Sequence, residues 1–297
     1  MVLLLNGRRR GRASSQIRRA FCVRALRVMA LAAFTTTVAL PADPPPPSQA
    51  EQESFLAEAR RVALDYDKSL PDFLCKLTIW RYATGLRSGP LGRSPSSQEA
   101  LSDTVTASLS YYRGEEQYTV LAVNGRPAAT SYGGLDGLMS TGEFGMVLRN
   151  IFEKPAGFAF VKWTSFHSRN AAVYSYKVDS SARPYELRAW DQRQKAFRSA
   201  VVSLRGELYI DLETHAVLRI SYQADDVPRG FPLSAAATTV EYSYADIAHR
   251  RYLLPSKAVV RITGDQDNKR NEVNFDSYRK FSSDTNIKFE DDSEGKQ

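Results

Sequence analysis

Few residues in this chain could carry chemistry. Histidine occurs three times, at His167, His215 and His249, each far in sequence from the other two and from any cysteine, so no pair has the spacing that holds a zinc ion. Serines are plentiful, but none sits in a nucleophile-elbow pattern, and a triad built from a serine, His167 or His249 and a remote aspartate would rest on nothing in the spacing. Asp265-Gln266-Asp267-Asn268-Lys269 begins like a calcium loop, with acids at the first and third positions. Its sixth position is Arg270 where a glycine is needed and its twelfth is Asp276 where a bidentate glutamate is needed, so a polar hairpin turn explains the same residues. The glycine-rich run Tyr132–Gly137 lacks the preceding strand and the lysine of a phosphate cradle. These residues assign no catalytic group, no metal and no cofactor, and the chain reads as a non-enzyme.

Charge narrows the partners. The chain holds 40 Lys plus Arg against 33 Asp plus Glu, but eight of the arginines (Arg8, Arg9, Arg10, Arg12, Arg18, Arg19, Arg24 and Arg27) lie in residues 1–42, where there is no acid. Taking those eight from 40 leaves 32 basic against 33 acidic side chains, a net charge near −1. Nucleic-acid binding leans on phosphate neutralisation and has no electrostatic basis in such a chain. The small basic groups at His249-Arg250-Arg251 and at Arg188, Arg193, Lys195 and Arg198 read as solvated turns and strand edges.

The basic stretch abuts the apolar run Val28–Leu40, thirteen residues long, which is short for a bilayer span and has the form of a secretory leader. Cleavage is expected after Ala39 or Ala42, leaving no transmembrane span. Arg18-Arg19-Ala20-Phe21-Cys22-Val23 resembles the twin-arginine export motif, with the general secretory route as the alternative, so a periplasmic or secreted location is expected. Cys75 is then the one remaining cysteine, and its alternation with Phe73, Leu77 and Ile79 places it on the apolar face of a strand, buried and inert.

The remaining chain divides into a stiff proline-rich linker over residues 43–50, one β-rich domain over 51–285 and a charged tail over 286–297. Ser48 and Glu51 have capping-box spacing, and Phe55, Ala59, Val62 and Tyr66 follow on one face of a helix that Pro71 ends. From Asp72 the apolar period changes to two through eleven runs, Phe73–Tyr82, Thr104–Tyr112, Gln117–Val123, Gly157–Phe166, Ala172–Val178, Tyr185–Trp190, Val201–Ile210, Val217–Tyr222, Thr239–Tyr244, Ala258–Ile262 and Asn271–Phe275. Residues 86–102 read as a long loop. Ser140 and Glu143, followed by Phe144, Val147, Leu148 and Ile151, predict one further short helix. The expected fold is mainly β with two helices, an antiparallel curved sheet or half-barrel around the N-terminal helix. Trp80, Tyr82, Phe158, Phe160 and Trp163 are the aromatics that could line an apolar ligand site; equally, they could fill a core.

The run Gly206–Ile220 places a strand ending in Asp211, a turn carrying Thr214 and a return strand bearing Arg219 among aliphatics. With Tyr242-Ser243-Tyr244-Ala245-Asp246-Ile247 and Leu253-Leu254-Pro255 downstream, it resembles the bacterial outer-membrane lipoprotein-sorting family, the LolA/LolB-like half-barrels. Upstream, Ser69–Phe73, Trp80-Arg81-Tyr82 and Gly142-Glu143-Phe144-Gly145 look like exported bacterial proteins that share this layout. The resemblance implies a half-barrel whose relatives shelter acyl chains and in which no catalytic residue travels with the family. A lipid or acyl chain is therefore the expected ligand, and the protein partner is unassigned. The alternative is an envelope interaction or sensor protein with a filled core. Export predicts that cell fractionation with N-terminal sequencing finds the chain outside the cytoplasm, beginning at about residues 40 to 43; a full-length cytoplasmic chain would overturn it.

Overall fold

Among the described residues, twelve strands and two helices follow one another as α1 (Gln49–Ser69), β1 (Phe73–Gly89), β2 (Gly92–Tyr112), β3 (Glu115–Val123), β4 (Arg126–Pro127), α2 (Met146–Phe152), β5 (Ala159–Phe166), β6 (Arg169–Val178), β7 (Tyr185–Asp191), β8 (Ala196–Asp211), β9 (Val217–Asp225), β10 (Leu233–Ile247), β11 (Arg250–Gly264) and β12 (Asn268–Lys280). They come from a computed structural model that describes residues 44–89, 92–128, 144–153, 157–181, 185–191, 193–264 and 268–281. The expected leader, the glycine-rich run Tyr132–Gly137, residues 265–267 of the calcium-like sequence and the expected tail lie outside the described residues.

The Ser48 capping box forms as expected: Glu51 accepts from the Ser48 amide at 2.7 Å and from its hydroxyl at 2.6 Å, pinning the first turn of α1. The helix then turns Ala59 and Ala63 inward, fully or almost fully buried, with Phe55, Leu56 and Tyr66 beside them. Two alanines on the contact stripe let the helix lie close to the sheet.

The strands form one antiparallel sheet in the order β4-β3-β2-β1-β12-β11-β10-β9-β8-β6-β5, with β7 added on the first half of β8. The sheet does not close, and it curves around α1 as a half-barrel. Tight hairpins follow from residues tolerant of positive φ, including Asn124-Gly125 at φ 51° and 72° and Arg113-Gly114 at 52° and 81°. All three histidines sit in such left-handed positions, at His167, His215 and His249, so they are turn residues. Inward rows on each strand (Phe73, Cys75, Leu77 and Ile79 on β1; Val105, Ala107, Leu109 and Tyr111 on β2) meet α1 and α2 in one large core. Cys75 is fully buried there, and burial raises its thiol pKa well above the ordinary value. Leu187, Ala189, Ala200, Val202 and Phe231 build a second, smaller core beneath the β7–β8 hairpin.

Three expectations change. Residues 86–102 are largely strand: β1 and β2 stay paired as far as Gly89 and Gly92, because a two-stranded ribbon needs only its own partner. β11 begins at Arg250 and runs through Pro255, whose missing amide is accommodated by a bulge opposite Glu241 and Tyr242. The short helix opens at Met146 with Gly145 as N-cap and no side-chain cap bond, so Ser140 does not begin it. Ser140 itself lies outside the described residues.

Gly206 is the tightest point of the sheet. A Cβ built there would lie 1.8 Å from the Ser221 carbonyl oxygen and 2.7 Å from its carbon, both backbone atoms of β9 that cannot rotate away. Gly206→Ala is therefore expected to cost about 3 kcal/mol, by separating β8 from β9. Chemical denaturation would measure it, and an unchanged midpoint would refute the close approach.

Candidate functional site

At the free edge formed by β5, aromatic side chains from four elements converge. Phe160 lies 4.8 Å from Trp163 and 5.7 Å from Tyr174 of β6, ring centre to ring centre. Phe55 of α1 stacks on Tyr174 at 5.9 Å and meets His215 at 4.9 Å. Phe158 bridges Phe152 of α2, at 5.5 Å, and Tyr176, at 6.3 Å. Phe55, Phe158, Phe160 and Trp163 are only partly buried, so they form a lip where the core reaches the surface. The Trp163 indole donates to the Pro45 carbonyl at 3.0 Å, which lays the start of the proline segment beside this lip.

One atom of the lip stands apart electrostatically. Tyr174 is fully buried, and its hydroxyl has no hydrogen-bond partner among the described residues. Tyr176, two residues on, solves the same problem by reaching across β8 at Gly206 to donate to the Ser221 carbonyl at 3.0 Å. A phenol flanked by Phe55 and Phe160 has no comparable acceptor.

The five aromatics read from the sequence are not brought together. Phe158, Phe160 and Trp163 share the lip. Trp80 and Tyr82 lie on β1, with six strands between it and β5, and alternate with the inward residues Leu77 and Ile79, so they face outward. Tyr82 is covered by Arg270, whose guanidinium carbon is 4.0 Å from the ring centre and which pairs with Glu99 and Glu272. Phe55, Tyr174 and Pro45 complete the lip instead. Alternation on β6 could have marked Tyr174 as inward; nothing local marks β6 as the neighbour of β5 and α1.

A second polar feature lies at the β8–β9 turn. Asp211, 1% exposed, accepts from the amides of Glu213 at 3.0 Å and Thr214 at 2.8 Å and from the Thr214 hydroxyl at 2.9 Å. Arg169, the first residue of β6, grips the same carboxylate in bidentate fashion. Burial pushes the Asp211 carboxyl pKa up, but the Arg169 guanidinium and the turn donors outweigh it and hold the value at about 2. A polar hollow of about 320 Å³ opens beside the pair, lined by Ser168, Arg169, Asn170, Asp211, Leu212 and Glu213. Every charge at its floor is already paired, so the hollow reads as the outer surface of a structural pin. Among the described residues, no group of three or more His, Cys, Asp or Glu side chains could hold a metal ion, and no helix is long and apolar enough to cross a membrane.

No protein-family model matches the chain, and no curated protein matches it. Solved structures do. A putative outer-membrane lipoprotein-sorting protein domain from Vibrio parahaemolyticus is 12% identical, with a TM-score of 0.31 over 80% of this chain and 95% of that one. A LolA superfamily protein from Nitrosomonas europaea is 9% identical, with a TM-score of 0.28 over 77% and 93%. A DUF1329 family protein from Desulfovibrio piger is 7% identical, with a TM-score of 0.33 over 78% and 94%. The first two carry the name of the family that residues 206–255 resemble.

The Asp211 pin has a defined acid signature. Its pKa is depressed in the folded chain, so its contribution is complete above the ordinary value of 3.8 and is lost as pH falls through about 2. The shift corresponds to about 2 kcal/mol. Asp211→Ala leaves Arg169 with only the exposed Glu213 carboxylate at 3.0 Å and leaves two turn amides without their acceptor, and is expected to cost about 3 kcal/mol at neutral pH. Denaturation curves at pH 7 and pH 2.5 should show the wild-type advantage shrinking in acid; an advantage independent of pH would contradict the pairing.

Proposed function

We propose that this chain is an exported, non-enzymatic binding module for an apolar ligand such as a lipid acyl chain, received at the lip of Phe55, Phe158, Phe160, Trp163 and Tyr174. Trp80 and Tyr82 have no part in it. In this reading residues 1–42 are removed as a leader, residues 43–50 tether, and the half-barrel over 51–285 works outside the cytoplasm.

The observation that carries the proposal is the Tyr174 hydroxyl, buried and without a partner among the described residues, beside a partly exposed aromatic lip. A hydroxyl left in this state costs about 1–3 kcal/mol. A ligand with an apolar tail and a polar head would offset that cost while covering rings that water now reaches. Each methylene taken from water would add about 0.8 kcal/mol. The names of the sorting-domain and LolA superfamily structures agree with a lipid or lipoprotein ligand; the support itself is the arrangement of these side chains.

A second reading, an envelope interaction protein with a filled core, is favoured by the inner face from β2 across to β8 and the helix α2 packed on it, where Phe73, Leu77, Leu109, Ile151, Leu208, Ile220 and Leu254 are all essentially excluded from solvent. One experiment separates the two. N-phenyl-1-naphthylamine should bind the folded chain at micromolar concentration and be displaced by oleate or phospholipid, and Phe160→Ala with Trp163→Ala should weaken it roughly tenfold per ring. Tyr174→Phe is expected to raise stability by about 1 kcal/mol yet weaken oleate more than the head-free probe. A folded chain that ignores both probes would leave the filled-core reading in place.

A further inference from the structure

The β7–β8 hairpin shows an apolar face to solvent that neither core uses. Its inward residues, Leu187, Ala189, Ala200 and Val202, pack on Phe231. Its outward residues form the cross-strand pairs Glu186 with Val201, Arg188 with Ser199 and Trp190 with Phe197. Trp190 is 45% exposed, Val201 55% and Phe197 59%. The Trp190 and Phe197 rings meet edge to face at 5.2 Å, and the Arg188 guanidinium carbon lies 4.6 Å from the centre of Phe197. Burying two rings and a valine on the solvent side of a hairpin would stabilise it; leaving them out favours water-facing alternatives unless something covers them.

The charges around this face are of one sign where it is most apolar. The turn carries Arg193 and Lys195, both exposed, and Arg188 stands between the apolar pairs. The acid at the turn, Asp191, points inward, accepting from the Arg193 and Gln194 amides at 2.8 and 3.2 Å and from Arg198 at 3.1 Å. Arg198 is thereby engaged on the inward side, where it also donates to the Gly230 carbonyl at 2.7 Å and lies 5.9 Å from the centre of the Phe231 ring. Of the acids on the hairpin only Glu186, at the end away from the turn, shares the outward face. A chain whose net charge past residue 42 is near −1 thus carries a local basic rim around exposed tryptophan and phenylalanine.

We infer that the outward face of the β7–β8 hairpin docks on an anionic lipid surface, with Trp190 and Phe197 entering the headgroup boundary and Arg188, Arg193 and Lys195 pairing with lipid phosphates. Aromatic rings with basic neighbours match that boundary, where a ring finds an apolar depth and a cation finds phosphate. Exposed arginine and lysine at the turn of this hairpin fit a lipid surface better than a protein partner, whose interface core is depleted in lysine. The long basic stems can lie along the rings with their charges at phosphate level. The inference stands independently of the lip at β5: that site takes one ligand, whereas this face takes a surface.

Tryptophan occurs at Trp80, Trp163 and Trp190 and not in the leader, so its emission reports on the folded part of the full chain. Vesicles of brominated phosphatidylglycerol should quench it, those of brominated phosphatidylcholine much less, and the quenching should fade with salt. Trp190→Phe should remove the quenched fraction. Arg188→Gln, Arg193→Gln and Lys195→Gln together, which leave the rings in place, should weaken the vesicle response roughly tenfold or more. All these side chains are exposed, so melting temperature and N-phenyl-1-naphthylamine binding should stay as in the wild type. Quenching that survives Trp190→Phe, that is equal on both lipids, or that is absent while the hairpin captures a protein, would overturn the proposal.

Discussion

An antiparallel sheet that does not close must cover its inner face with something other than itself, and here α1 supplies that cover. Phe55 reaches Tyr174 on β6, while Tyr66 sits edge-on to Tyr242 of β10 at 6.0 Å and donates to the Leu253 carbonyl on β11 at 2.8 Å. One helix therefore spans strands that are not neighbours and fixes the curvature of the sheet between them. Ala59 and Ala63 make the approach close enough for those contacts. Arg60 donates to the Glu153 carbonyl at 3.1 Å, which joins the end of α2 to the same helix.

The edges of the sheet follow from the same constraint. At one side β4 is two residues long, which leaves little unpaired backbone. At the other, β5 is eight residues long and carries a bulge between Phe160 and Lys162, with Lys162 exposed; both features discourage a foreign strand. The cover of α1 runs out at that edge, and the aromatic lip is what shows there. A partly exposed aromatic rim thus arises from a helix narrower than the sheet it covers. The second core beneath β7–β8 arises in the same way, since this hairpin leaves the main path of the sheet and must pack on the 224–236 segment.

Asp211 does for the β8–β9 connection what α1 does for the inner face. Its carboxylate collects two turn amides, a hydroxyl and Arg169 from the start of β6, so three successive strands of the sheet are fixed at one carboxylate. The local half of that arrangement was legible, because an aspartate three residues before a threonine at a strand end is a turn in its own right. Arg169 was not, since it lies 42 residues away in the chain and meets Asp211 only once β6 has paired with β8.

By itself, the sequence determined what depends on near neighbours: the capped start of α1, the period-two rows, the Asn124-Gly125 and Arg113-Gly114 turns, and the inward placement of Cys75. Each is decided within a few residues, by side-chain alternation, by a capping hydroxyl or by tolerance of positive φ. Which strands lie side by side was decided only by the tertiary structure, because alternation assigns a residue to a face and says nothing about the strand beside it. Trp80 and Tyr82 have the same apolar character as Phe160 and Trp163, yet six intervening strands and an opposite face part them. Tyr174, ordinary in sequence, became the residue of interest because Phe55 and Phe160 pack against its ring and its hydroxyl finds no acceptor among the described residues.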